Sequence, residues 1–120
     1  MIDDQFNIRI ADFGFATAIK GDGSGILREY CGSEAYIAPE FFCENLSYQG
    51  QAVDLFALGI ILFNLFDGGA PFGKANSSDS LFEKIAENRY DSFWEYFGRW
   101  RDYPEDFKDL INNMLQLDPR

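Results

Sequence analysis

The sequence predicts a mainly α fold, with a short β-hairpin or strand at its N-terminal end and about four helices. Three observations predict it. Phe6, Ile8 and Ile10 alternate with Asn7 and Arg9, the period of a half-buried strand. From Leu55 to Phe66 the chain is apolar on every side of a helical wheel. Phe107, Leu110, Ile111, Met114 and Leu115 fall at the i, i+3, i+4, i+7, i+8 spacing of an amphipathic helix. With 120 residues the chain has length for one domain, and roughly two thirds of the unfolded surface can be buried at that size. Hydrophobic residues make up 47% and 13 residues are Phe, which supplies a packed core and excludes a disordered composition.

The elements follow in order. Ile2, before Asp3-Asp4-Gln5, ends a partner strand for Phe6–Ile10 and makes a small hairpin. Lys20 to Gly25 holds three Gly in six residues and predicts a mobile loop. Pro39 suits the first position of a short helix, because its missing N–H is one that a helix start leaves unpaired anyway. Gln51 to Phe66 has no polar face after Asp54, so it belongs at the centre of something larger; Gly68-Gly69 and Pro71 stop it. Ser78 or Ser80 caps the next helix, with Glu83 completing a capping box from Ser80 and Leu81, Phe82, Ile85 and Ala86 as the apolar stripe. Phe93, Trp94, Tyr96, Phe97 and Trp100 crowd a segment with Arg99 and Arg101. Such a cluster is either a binding surface or the anchor of a loop-rich region, and the anchor is the favoured reading. The last helix begins near Pro104 and ends at Asp118-Pro119. No internal repeat and no second domain is visible.

Charge and cysteine usage narrow the function. A net charge of −10 with no His argues against nucleic acid as a partner, which needs a basic footprint, and against attachment to anionic lipid. Cys31 and Cys43 are too few for a disulfide framework and, without His, do not make a zinc site. They read as reduced thiols of an intracellular protein, cytoplasmic or nuclear. MIDDQFNIRI lacks the apolar core of a signal peptide. The apolar run Leu55 to Phe66 is too short to span a bilayer, so no membrane is expected.

Asp12-Phe13-Gly14, Ala38-Pro39-Glu40, the Asp-x-x-x-x-Gly of Asp54 to Gly59, Pro71-Phe72 and the closing MLQLDP occur in that order. Each alone is weak; Asp-Phe-Gly by itself is as well read as a turn at a strand end. Together they resemble the C-terminal lobe of a eukaryotic protein kinase, over essentially the whole chain. The resemblance implies a partial kinase domain across residues 1–120. It would run from the strand before Asp-Phe-Gly, through the activation segment, to the helix ending at Asp-Pro. ILREYCGSEAYIAPE is closest in flavour to the calcium/calmodulin-dependent-like Ser/Thr kinases.

The resemblance also implies chemistry. ATP and Mg2+ would be the cofactors and Asp12 the metal ligand, since Mg2+ is a hard cation that takes carboxylate oxygen. Phe13 would pack to set the active or inactive pose, and Gly14 would let the backbone swing. Cys31, Gly32 and Ser33 would lie in the activation segment, with Ser33 near the substrate hydroxyl, which points to Ser/Thr rather than Tyr specificity. Glu29 stands where related kinases carry a phosphorylatable Thr. With one negative charge against nearly two for a phosphate, it either partly mimics the phosphorylated state or is a solvated loop charge. Glu34 replaces a common Pro, Phe56 and Ala57 a usual Trp and Ser, and Asn64 an acid that some basophilic kinases place there. Glu40 and Asp54 are the structural acids of the pattern. The family pairs Glu40 with an Arg beyond the Asp-Pro, which Arg120 falls short of, and Asp54 with the catalytic-loop backbone.

The 120 residues contain no Gly-rich phosphate loop, no ATP-pairing Lys strand and no His-Arg-Asp catalytic loop. The expectation is therefore a fragment of a kinase transferring the ATP γ-phosphate to protein Ser/Thr hydroxyls, with its catalytic base and ATP-pairing Lys upstream and no catalytic residue in this chain. By itself it is expected to be inactive, and marginal or aggregating, with Asp54 buried and unpaired. The alternative is a non-catalytic, kinase-like interaction module. Partners would be a protein substrate and regulators docking at the Leu81–Trp100 region.

Overall fold

The computed structural model describes residues 1–19 and 24–118. Most of the predicted Gly-rich loop, and Pro119 and Arg120, lie outside the described residues. Among the described residues four α-helices follow one another: α1 (Gly50–Asp67), α2 (Ser80–Ala86), α3 (Tyr90–Phe97) and α4 (Glu105–Met114). Two short strands, β1 (Ile26–Leu27) and β2 (Tyr48–Gln49), pair antiparallel with Ile26 opposite Gln49 and Leu27 opposite Tyr48. Single 3-10 turns form at Phe13–Phe15, Glu34–Tyr36 and Pro39–Phe42, the last with Pro at its first position as its sequence predicts.

α1 is the axis. Its buried side is Phe56, Gly59, Ile60 and Phe63. Gly59 lets α4 approach closely: a Cβ there would lie 2.9 Å from both Leu115 Cδ2 and Met114 Cβ. Gly68, at φ 92, ends the helix in the left-handed conformation and returns its N–H to the Asn64 carbonyl. The other side, with Leu55, Leu58, Ile61 and Leu65, is exposed among the described residues. A helix apolar all round thus has one face covered and one open, and the open face is an association liability. At 18 residues α1 is longer than the apolar run alone suggests and, by length and composition only, could cross a membrane. Its packing on α4 is that of a core helix.

Aromatic rings form the rest of the core. Phe63, fully buried, meets Phe97, Trp94, Phe93 and Tyr103 with centroids 4.8, 6.0, 6.1 and 6.1 Å away. Trp94 also donates its indole N–H to Asn112 Oδ1 at 2.8 Å, which ties α3 to α4. Tyr103 donates to Asp67, and Arg101 donates to the Phe66 carbonyl while lying 5.7 Å over the Phe66 ring. Burial, with Asp67 as acceptor, pushes the Tyr103 phenol well above its ordinary value. The predicted anchor is therefore real for Phe93, Trp94 and Phe97, whereas Trp100 is 70% exposed.

Three expectations are corrected. The run Phe6–Ile10 is not a half-buried strand. Its pairing is a single antiparallel bridge from Ile2 to Ile8, and Phe6, Ile8 and Ile10 are all exposed. Asp3 holds the turn, its carboxylate accepting from the Asn7 and Gln5 amides at 2.8 and 3.0 Å and from Arg9 Nε at 2.9 Å. The α2 cap is neither Ser78 nor Ser80 but Asp79. Its Oδ1 accepts from the Leu81 and Phe82 amides at 3.0 and 3.2 Å, and its Oδ2 from the Gly73 amide at 2.8 Å. A carboxylate serves two such acceptor tasks at once and suits the positive end of a helix, whereas Ser78 turns to Asn76 and the Glu83 carboxylate faces Arg89. Finally, α4 begins after Pro104 as expected but stops at Leu115, before Asp118, because Leu115 turns fully into the core.

Candidate functional site

An open groove of about 490 Å3 lies between the N-terminal segment, the 31–38 stretch and the first turns of α1. Asp12 and Phe13 line one part of it, Cys31, Gly32 and Ser33 another, and Asp54 a third. Phe41 and Tyr48 also line it. Six of the residues singled out from sequence therefore share one surface. Gly14, Glu29 and Glu40 do not line it.

Asp12 occupies the left-handed region at φ 64, ψ 78. Asp tolerates this because its short side chain bonds locally; Oδ1 accepts from the Gly14 amide at 3.4 Å and caps the Phe13–Phe15 turn. The carboxylate is exposed and its second oxygen makes no bond among the described residues. As a donor set this fits Mg2+, which takes one or two protein carboxylates and fills the remaining positions with water and phosphate oxygen. No group of three metal-ligating side chains occurs among the described residues. Phe13 is 69% exposed, so the packing expected of it is not made within these residues, since nothing described covers the N-terminal segment.

Gly32 sits at φ 109, a conformation that favours glycine, and turns the chain between Cys31 and Ser33. Ser33 is exposed; its carbonyl accepts from the Tyr36 amide at 2.9 Å and its hydroxyl caps nothing. Glu34 pairs with Lys74 at 2.7 Å on the surface, a pair worth little. Glu29 is exposed, and its carboxylate meets no cation among the described residues, the environment of a solvated charge. Its carbonyl, however, accepts from the Tyr48 phenol at 2.7 Å. Asp54 is exposed and not buried, so the desolvation cost expected for it does not arise.

Glu40 is half-buried beside a cavity of about 140 Å3 that Phe56 and Met114 also line. Burial raises its pKa first, and Asp118 nearby adds to the rise. The folded state then binds the proton more readily than the unfolded state. Its contribution is least unfavourable below the ordinary carboxylate value and turns against folding as pH rises through the raised one. Glu40→Gln is accordingly expected to stabilise the 120-residue chain at pH 7 and to flatten its stability profile from the ordinary carboxylate range upward to neutral pH. Urea melts across that range measure this, and an unchanged profile would show that Glu40 is fully compensated.

Sequence reading passed over Tyr48 and Phe41, which join the Glu29–Ser33 stretch to the rest of the groove. Their only sequence signal is that both are aromatic in otherwise polar or turn-rich surroundings.

Comparison with known proteins agrees with this arrangement. The family model for the protein kinase domain matches residues 1–120, and the chain belongs to that family. It is 37% identical over 123 residues to the phosphorylase b kinase gamma catalytic chain, liver/testis isoform, of Bos taurus, covering 99% of this chain and 29% of that one. Testis-specific serine/threonine-protein kinase 2 of Mus musculus is 35% identical over 122 residues, covering 98% and 32%. Serine/threonine-protein kinase SIK2 of Gallus gallus is 36% identical over 119 residues, covering 99% and 14%. The expected resemblance to a Ser/Thr kinase domain is borne out, as is the mainly helical partial kinase fold. The chain spans less than a third of the length of each of these relatives.

Proposed function

We propose that the protein carrying this segment transfers the ATP γ-phosphate to Ser or Thr hydroxyls of protein substrates, with Asp12 as its magnesium ligand. The observation that carries this is the shared groove: the exposed Asp12 carboxylate, with one oxygen unbonded among the described residues, and the Cys31–Gly32–Ser33 turn line the same opening. Magnesium, when bound, supplies neutralisation of the charge that develops on the phosphates. Asp12 offers it an anionic oxygen, its cap on the Gly14 amide fixing the carboxylate's direction. The 31–33 turn presents backbone and the Ser33 hydroxyl to the same groove, and on this reading it is the side that receives the acceptor side chain. Protein regulators docking at Leu81–Trp100 and an intracellular location belong to the same reading.

The test is phosphate transfer by the purified full-length gene product, from labelled ATP to Ser, Thr and Tyr peptides. Transfer to Ser and Thr peptides that EDTA abolishes and Mg2+ restores is expected. A folded product that transfers nothing favours the second reading, an interaction module. That reading rests on the exposed pair Tyr96 and Trp100, whose rings meet edge to face at 5.3 Å.

A further inference from the structure

We infer that Tyr48 is a positioning residue for the protein acceptor: by donating its phenol hydroxyl to the Glu29 carbonyl, it holds the Glu29–Ser33 stretch in the shape that seats the substrate. The inference rests on the phosphotransfer reading above. Little else fixes this stretch among the described residues. The β1–β2 ladder has two residues on each side, extended by the Gly50 amide donating to the Gly25 carbonyl at 3.0 Å. A pairing that short is marginal on its own. Past the ladder the chain runs through exposed Arg28, Glu29 and Tyr30 to the Gly32 turn.

Tyr48 grips it there. Its hydroxyl lies 2.7 Å from the Glu29 oxygen, 19 positions away in sequence. The ring is 6% exposed and stacks on Phe41 with centroids 4.2 Å apart and planes 28° apart. Phe41 in turn meets Tyr30 edge to face at 5.8 Å. Two successive residues of the stretch, Glu29 by its carbonyl and Tyr30 by its ring, are thus tied to a pair of buried aromatics beside α1. Because the ring is buried and stacked, the phenol oxygen is held beside the Glu29 carbonyl. Burial, followed by the Cys31 thiol, raises the Tyr48 pKa, so the phenol stays protonated and remains a donor at neutral pH. Tyr48 and Phe41 line the same groove as Cys31, Gly32 and Ser33. Neither makes a hydrogen bond or ring contact with Asp12, so loosening this clamp should be felt on the acceptor side and not on the metal side.

Tyr48→Phe removes the hydroxyl and keeps the ring and its stack on Phe41. In the full-length protein we expect KM for a Ser/Thr peptide to rise roughly three- to tenfold, the range set by one neutral hydrogen bond. KM for ATP and the magnesium requirement should not change. Hydrogen exchange of a peptide spanning residues 29–33 should quicken in the variant. A peptide KM unchanged within about twofold, or an ATP KM that rises as much, overturns the inference while leaving phosphotransfer intact. Unchanged exchange at 29–33 also overturns it. A wild-type protein that transfers no phosphate removes the phosphotransfer reading and this role with it, a result visible before any variant is made.

Discussion

Asp12→Asn in the full-length protein is expected to lower kcat by at least about a hundredfold while leaving the fold intact. The fold stays intact for a local reason. Asn keeps the oxygen that caps the Gly14 amide and, like Asp, tolerates the left-handed backbone found at φ 64. The side chain is exposed and has no cation to lose among the described residues. Activity falls for an electrostatic reason. A neutral amide oxygen binds a hard dication far more weakly than a carboxylate, and the metal contributes several kcal/mol of transition-state charge stabilisation, each ~1.4 kcal/mol being tenfold in rate. The magnesium concentration for half-maximal rate should rise in parallel. Unchanged kcat with an unchanged magnesium requirement would remove Asp12 from the metal site. Lost activity with a lowered melting temperature would mean that the turn, and not the metal, had been damaged.

The parts of this fold that could be read in advance are those whose own residues encode their environment. α1 and α4 each repeat an apolar pattern over several turns, so both are visible as helices, and Gly68 marks where α1 must stop. The order of short motifs from Asp12 to Pro119 points to the family because each motif needs particular chemistry at a particular place. What was missed depends on partners. Strands β1 and β2 are two residues long, too short to show a period, and exist because Leu27 and Tyr48 find each other across the chain. The alternation of Phe6, Ile8 and Ile10 reports a face that would suit burial; whether anything covers it is a property of other residues. The α2 cap turned on a choice among three adjacent polar residues, settled by the Gly73 amide, which only a carboxylate at Asp79 can serve along with the helix end. Tyr48 is the extreme case. A hydrogen bond to a main-chain carbonyl is indifferent to the acceptor's side chain, so nothing at Glu29 announces it.

Phe63→Ala is expected to destabilise the domain more than any exposed substitution on the same helix, by roughly 3–5 kcal/mol. The core divides around α1 into two groups of rings. Phe56 meets Phe72 and Phe82 toward the start of the helix, at 6.2 and 6.5 Å, and draws in α2. Phe63 lies two turns later on the same face and is the ring that touches Phe93, Trp94, Phe97 and Tyr103 together. Truncating it leaves a void bounded by four large rings on α3 and the following loop. These cannot all move inward, because Trp94 is held to Asn112 and Tyr103 to Asp67. The cavity therefore persists, and a persistent cavity is what puts a large-to-small change at the costly end of its range. Leu65→Ala is the internal comparison. Leu65 is 78% exposed two residues away on the same helix, and Ala is the better helix former, so its effect should stay within about 0.5 kcal/mol. Urea unfolding of the 120-residue chain, to which these exposures belong, followed by tryptophan fluorescence, measures both. With total stabilities of about 5–15 kcal/mol, the Phe63 variant should lose a large share of its folding free energy. If instead both variants lose the same small amount, the aromatic group around Phe63 is not what holds α3 to α1, and the Phe56 group together with the close Gly59–Leu115 contact must carry the domain alone.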